Sequence, residues 1–216
     1  MSQTSYLDIN RESYEWLADE FAEKIDLRAK NTELVVRKFM EHGILGKKSR
    51  ILELGPGSGY ASKLMCDAGA KVMSIEFSPK MARIAQRTAP LSNVVVSDFL
   101  SYNFKNQVFD GVFAMAFVHL FPENDAIRVV EKISNLLTIG GVALISTTKH
   151  EYNEEGIFEK TNFSTHKARR YRHRYNKEAM MDLLGNFFKS ITCTEDHDKE
   201  GDRTWMNFFV TKEEMA

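Results

Sequence analysis

At 216 residues the chain falls in the size range of one domain and is long enough to bury a sheet-centred core. Its 29 Lys and Arg against 30 Asp and Glu leave a formal charge of −1, which excludes a global field that would gather nucleic acid or an anionic membrane. Two cysteines, Cys66 and Cys193, match no metal-ligand spacing, and no apolar run approaches the roughly 20 residues of a membrane span. With no leader-like segment, so few cysteines predict a reducing, cytoplasmic setting, no bound metal and no membrane.

In chain order, residues 1–45 read as an N-terminal helical cap, because Tyr14, Leu17, Ala18, Phe21 and Ile25 recur at three- and four-residue spacing. Strand-like apolar runs then alternate with helical patterns: a strand over Arg50 to Leu54, a helix from about Gly59 to Ala68, a strand over Lys71 to Glu76, a helix from about Pro79 to Thr88 and a strand over Val94 to Ser97. The alternation continues with Gly111 to Ala116, a helix from about Asn124 to Leu137 and a strand over Val142 to Thr147. A helix from about Lys177 to Leu184, with Asn176 as its N-cap, precedes late strands near Ile191 and over Trp205 to Val210. Such alternation predicts parallel strands joined by crossover helices, a doubly wound, Rossmann-like α/β sheet of about seven strands. No repeat, low-complexity tract or linker divides the sequence, so residues 1–216 are expected to form a single domain.

The most informative stretch is Ile51-Leu52-Glu53-Leu54-Gly55-Pro56-Gly57-Ser58-Gly59-Tyr60, a buried strand running into a glycine-rich turn that opens a helix. Gly55, Gly57 and Gly59 permit positive φ and let a ligand lie against the main chain. A dinucleotide fingerprint reads G-x-G-x-x-G and seats a pyrophosphate on the helix N-terminus. Here the third glycine comes one position sooner, behind an acidic Glu53 that repels phosphate and suits a cofactor with a cationic end, such as S-adenosylmethionine. The spacing therefore argues against a nicotinamide-dependent oxidoreductase. Glu76 closes the second strand, where a doubly wound fold places a carboxylate against ribose hydroxyls, with Phe77 beside it. Asp98 follows the third strand and can accept a hydrogen bond from the adenine amine, with Phe99 to pack on the ring. Each acid has a plainer alternative, a solvated loop charge for Glu76 and a turn residue for Asp98.

These residues carry a family resemblance. Glu53-Leu54-Gly55-Pro56-Gly57-Ser58-Gly59 resembles the E/D-x-G-x-G-x-G loop of the class I S-adenosylmethionine-dependent methyltransferases. Glu76 matches the ribose acid of that family and Ser97-Asp98-Phe99 its adenine-site segment. Phe109-Asp110-Gly111-Val112 resembles its fourth strand, and Leu137-Thr138-Ile139-Gly140-Gly141 its L-x-P-G-G turn, with Ile139 where proline is usual. The resemblance covers roughly residues 50 to 150, and the ending Gly201-Asp202-Arg203-Thr204-Trp205-Met206-Asn207 is similar to members that act on small metabolites. It implies a sheet whose last strand runs antiparallel, S-adenosylmethionine over the carboxyl ends of the first strands, and methyl transfer to oxygen or nitrogen of a small molecule.

Methyl transfer from a sulfonium needs alignment more than it needs catalytic groups. The segment from Ala114 to Pro122 is expected to pass close to the transferred methyl, with Ala114 among the cofactor contacts. It lacks the Asn/Asp-Pro-Pro-aromatic run that the resemblance would ask for in enzymes methylating base amines or glutamine amides. His119 is its only histidine and the candidate general base, with shaping of the pocket as the alternative. Residues 149–175 form a polar excursion expected to be a substrate-side insertion. If its end is extended, Arg170, Arg172 and Arg174 share one face, and Tyr171, His173 and Tyr175 the other. Arg170 and Arg172 suit an anionic substrate, because a guanidinium donates two parallel hydrogen bonds to carboxylate or phosphate, and Tyr175 is the pocket candidate of the opposite face. A solvated basic run is the alternative. Tyr14 is expected to reach the cofactor from the N-terminal helix. A small-molecule partner follows, and the neutral charge weighs against nucleic acid. An RNA- or protein-directed transferase and a non-catalytic S-adenosylmethionine-binding regulator stay open, as does the oligomeric state.

Overall fold

The computed structural model describes residues 5–23, 25–160, 168–199 and 201–214, with the backbone alone described over 25–28 and at 160. Its helices are α1 (Tyr6–Glu23), α2 (Ile25–His42), α3 (Tyr60–Asp67), α4 (Pro79–Thr88), α5 (Glu123–Leu136) and α6 (Lys177–Gly185). Its strands are β1 (Arg50–Leu54), β2 (Lys71–Glu76), β3 (Asn93–Val96), β4 (Phe109–Met115), β5 (Leu137–Thr148), β6 (Glu154–Lys160), β7 (Ala168–Arg174), β8 (Ser190–Asp198) and β9 (Arg203–Thr211). A single 3-10 turn, Val118–Leu120, follows β4.

Four of the five residues of β1 are buried, as a parallel strand covered on both faces requires. Seven strands pair in the order β3-β2-β1-β4-β5-β9-β8, with β1 parallel to both β2 and β4, and β9 antiparallel to β5 and β8. The expected doubly wound sheet with its antiparallel last strand is therefore present. α2 and α3 cover one face through Val35, Phe39 and Met65, and α5 and α6 cover the other through Val130, Ile133 and Leu184. Ser78 caps α4, its Oγ accepting from the Met81 amide at 3.1 Å with Pro79 in the first turn. Asn176 caps α6 as expected, accepting from the Ala179 amide at 2.9 Å. From β1 the chain winds outward to β2 and β3, then returns to β4 on the other side of β1, so a crevice opens at the carboxyl ends of β1 and β4.

Two expectations change. The segment 1–45 is not one cap: α1 alone lies over the strand ends, whereas α2 belongs to the core. Val35, Val36 and Phe39 give α2 an apolar stripe that the sheet covers, and the Phe39 ring meets Phe113 of β4 with centroids 5.4 Å apart. The polar insertion is a β-hairpin, β6 pairing with β7 from Glu154↔Arg174 to Lys160↔Ala168, so the described residues hold nine strands instead of about seven. Residues 1–4 of the cap, the side chain of Ile25 and residues 161–167 of the insertion lie outside the described residues.

The turn from β1 into α3 ends on Gly59, whose φ of 82° is left-handed. A Cβ there would stand 2.6 Å from the Ala85 carbonyl oxygen and 2.7 Å from its Cα, both backbone atoms of α4. Gly59→Ala is expected to cost about 2 to 4 kcal/mol, combining overpacking with a left-handed side chain. Urea unfolding measures it, and a loss under about 0.5 kcal/mol, the size of an ordinary surface substitution, would show that α3 and α4 part without penalty.

Candidate active site

Beyond Leu54 the chain turns through Gly55 and Gly57, with φ of 66° and 57°, and the Gly55 amide donates to the Ile75 carbonyl at 3.0 Å, tying the turn to β2. A Cβ on Gly55 would come within 3.1 Å of the Phe117 ring, whereas one on Gly57 would meet only Met81 Cε at 4.0 Å. Their bare backbone borders a cleft. Ile75, Glu76, Phe77, Asp98 and Phe99 form its floor and far wall. A second lobe shares Tyr14, Gly55, Gly57, Met81 and Ala116 and continues past Glu53 to Asp198 and Trp205. Gly59 borders neither lobe, so its place in the motif is corrected: it is glycine because α4 packs on it.

Three carboxylates stand at the ends of successive strands. Glu76 is buried, and desolvation raises its carboxyl to about 7 even though the amides of Ser78, Phe77 and Gly57 donate to it. A buried acceptor with the glycine turn alongside suits a pair of ribose hydroxyls. Glu53 is also lifted to about 7 by burial, and Ser62 and Ser74 hydrogen-bond its Oε2. It borders the second lobe, away from the floor on which Glu76 sits. Asp98 plays the turn role as well as facing the cleft, since its Oδ2 accepts from the Ser101 amide at 2.9 Å. Phe99 lies beneath it, 2 % exposed, and Lys132 fixes this loop by donating to the carbonyls of Phe99, Leu100 and Tyr102 at 2.8, 2.9 and 2.9 Å.

α1 roofs the cleft through polar contacts. Tyr6 donates to Asp125 at 2.7 Å, Asn10 joins the Leu120 carbonyl at 3.2 Å to the Tyr171 amide at 2.9 Å, and Glu15 accepts from Ser78 Oγ and the Lys80 amide. The Tyr14 ring borders both lobes and packs edge-on against Phe77, centroids 5.9 Å apart. Its hydroxyl accepts from Arg170 Nη1 at 3.0 Å.

β7 is extended, so the expected alternation holds. Arg170 turns to Tyr14 and Arg172 to His119, while Tyr171 and His173 turn to Glu155. Arg170 is buried and Arg172 partly so, neither bordering a lobe directly, and desolvation beside Arg170 pushes the Arg172 guanidinium down to about 10. Three expected contacts are corrected. Ala114 is fully buried inside β4 and borders neither lobe; the strand continues to Met115, so Ala116, with φ of 58°, is the residue at the cleft. Tyr175 packs into the core against the His173 ring, centroids 3.9 Å apart, because β7 has ended before it. His119 is 2 % exposed and borders neither lobe: Arg172 Nη2 lies 3.0 Å from its Nε2 and 3.4 Å from its Nδ1, and Nδ1 is 3.0 Å from Thr147 Oγ1. A buried ring between a guanidinium and a hydroxyl positions the arginine and does not face the cleft as a base would. Sequence reasoning missed Asn10, Asp198 and Trp205; only the four-residue spacing of Tyr6, Asn10 and Tyr14 along α1 signalled a shared face.

A methyltransferase domain family matches residues 52–145, from within β1 into β5. An uncharacterized methyltransferase of Bacillus thuringiensis (strain Al Hakam) is 27% identical over 144 residues, 66% of this chain and 66% of that protein, so the match spans just under two thirds of the relative. The Burkholderia thailandensis 1,6-didemethyltoxoflavin-N1-methyltransferase with bound 1,6-didemethyltoxoflavin and S-adenosylhomocysteine superposes with a TM-score of 0.78 at 14% identity, over 99% of this chain and 93% of that one. Together these matches support a class I S-adenosylmethionine-dependent methyltransferase. The N-methyltransferase NodS from Bradyrhizobium japonicum WM9, in complex with S-adenosyl-L-homocysteine, shares the fold with a TM-score of 0.71 at 13% identity, covering 94% of this chain and 99% of that one. Glu76 and Asp98 border this cleft across bare backbone at Gly55 and Gly57.

Because burial favours protonated Glu76, the ligand-free methyltransferase is expected to lose stability as pH rises from about 4.5 to about 7. Ribose hydroxyls donate to the ionised carboxylate, so S-adenosylhomocysteine should release a proton near neutrality and bind more tightly at about pH 8 than at about pH 6. Calorimetry in buffers of different ionisation heat measures both. Glu76→Ala is expected to weaken that binding by about 1.5 to 3 kcal/mol, the range for a hydrogen bond to a charged group, and normal binding would remove Glu76 from the ribose role.

Proposed function

We propose that this chain transfers the methyl group of S-adenosylmethionine to oxygen or nitrogen of a small, negatively charged metabolite in the cytoplasm. The observation that carries the reading is the pair Arg170, buried, and Arg172, partly buried: neither lines the cleft itself, but Arg170 donates to the hydroxyl of Tyr14, whose ring does, and the cleft's other walls are acidic and apolar. The cofactor supplies a methyl carbon on a sulfonium, a leaving group already activated. The acceptor's lone pair forms the new bond to that carbon as the carbon–sulfur bond breaks, and S-adenosylhomocysteine departs. Tyr14, Phe117 and Phe121 exclude water from the cleft, and Arg172, steadied by His119, orients the acceptor's anion. A roof of α1 and the β6–β7 hairpin supports a small acceptor over RNA or a protein chain, and the Burkholderia enzyme's bound 1,6-didemethyltoxoflavin is such a molecule.

Incubation with methyl-labelled S-adenosylmethionine and a panel of phosphorylated and carboxylated metabolites tests the proposal. No labelled product from protein that binds S-adenosylhomocysteine would favour the regulator instead. With an acceptor in hand, Arg172→Ala should raise its KM at least about 10-fold and leave cofactor affinity unchanged. His119→Ala should also act mainly on KM; a fall in kcat of about 10²- to 10⁴-fold with loss of the basic limb of the pH profile would restore the histidine as general base.

A further inference from the structure

Buried polar side-chain atoms normally find a partner, so the exceptions point to what is missing. Among the described residues, Nε of Arg170, Nε of Arg172 and Nε1 of Trp205 are buried hydrogen-bond donors without an acceptor. Arg170 is 6 % exposed and Trp205 9 %. Neither Arg170 nor Arg172 meets a carboxylate within ion-pair distance among those residues: their outer nitrogens go to Tyr14 Oη and the His119 ring. The neighbouring Arg203 differs, because Asp198 stands 3.4 Å from its Nε. Two positive charges are therefore hydrogen-bonded but not neutralised.

Arg170 and Arg172 alternate onto one face of β7, with Cα atoms about 7 Å apart at roughly 3.4 Å per residue, so both guanidiniums can close on a single group. Each keeps its Nε–H edge free. A lone carboxylate fills one guanidinium fork and supplies one negative charge, leaving the second arginine buried and uncompensated. A phosphate-type group presents three terminal oxygens and carries close to two negative charges near neutral pH, matching both the donor count and the charge.

We propose that Arg170 and Arg172 together form one site for a dianionic tetrahedral oxyanion, a phosphate ester or phosphonate group borne by the methyl acceptor. This rests on the reading of the cleft as a transferase site and narrows its substrate class. Tyr14 joins the two functions, its ring on the cofactor cleft and its hydroxyl on Arg170.

The test titrates the S-adenosylhomocysteine-loaded protein with inorganic phosphate, acetate and malonate at about pH 8 and fixed ionic strength, with heat as the readout. Phosphate is expected to bind at least tenfold more tightly than acetate and more tightly than malonate. Arg170→Gln and Arg172→Gln should each weaken phosphate binding at least fivefold; S-adenosylhomocysteine affinity should stay unchanged in Arg172→Gln, and far-ultraviolet circular dichroism shows that both variants are folded. Arg172→Lys should fall between, keeping the charge and losing the fork. Phosphate binding that is absent, equal to acetate, or unaffected by both glutamine variants overturns the proposal, and tighter malonate binding would assign two carboxylates instead. Failure of S-adenosylhomocysteine to bind would strike the transferase reading separately, and phosphate titration of the unloaded chain would then decide the anion site alone.

Discussion

Gly59 lies where a Cβ would strike the main chain of α4, and the cleft depends on that packing. With no side chain there, the start of α3 rests on the main chain of α4 at Ala85. That contact holds the Gly55–Gly57 turn beside the capped start of α4, where Ser78 and Lys80 also bind Glu15 of α1. Floor, glycine turn and roof are thus referenced to one helix, α4. A side chain at Gly59 would pry α3 from α4 and loosen all three, although it would touch no ligand.

α1 is the second shared part. Its cleft-facing residues Tyr6, Asn10 and Tyr14 recur every four positions and are polar at their tips, so the helix is fastened by directional bonds to Asp125, Leu120, Tyr171 and Arg170 as well as by apolar burial. Such contacts are individually modest, each net hydrogen bond contributing on the order of 1 kcal/mol. A roof held this way can lift to admit ligands and reseat with fixed geometry. Since Tyr14 borders the cofactor cleft and holds Arg170, a cofactor that orders the helix also orders the arginine.

The sheet was legible in the sequence because its signals are local. Arg50–Leu54, Lys71–Glu76 and Pro79–Thr88 have the bounds read from apolar runs and punctuation, and the G-x-G-x-G turn sits where a strand feeds a helix. What escaped depends on contacts across the chain. Gly59 looks like a ligand glycine until Ala85 is brought onto it, and His119 looks like a base until Arg172, far along the chain, donates to its ring. Ala114 was placed at the cleft, but it pairs with Ile145 inside the sheet, and the chain reaches the first lobe only at Ala116, one residue past the last pair, Met115↔Ser146. The hairpin β6–β7 has charged residues on both faces, so no amphipathic period marks it. Only the condition that its end be extended gave the correct sorting of Arg170 and Arg172 from Tyr171.

The charges in the finished site are sorted by side. Glu53, Glu76, Asp98 and Asp198 border the two lobes, whereas the unneutralised Arg170 and Arg172 lie beyond Tyr14. Under the proposed function, a cofactor bearing a sulfonium and an amine would be drawn to the first group and an anionic acceptor to the second. In a water-poor cleft such sorting acts at several ångströms with little screening. His119 is part of that arrangement, because its buried ring lies against Arg172 Nη2 and Thr147 Oγ1 and fixes where the guanidinium sits. The same histidine that looked like the proton acceptor for catalysis is thus better explained as the group that aims an arginine.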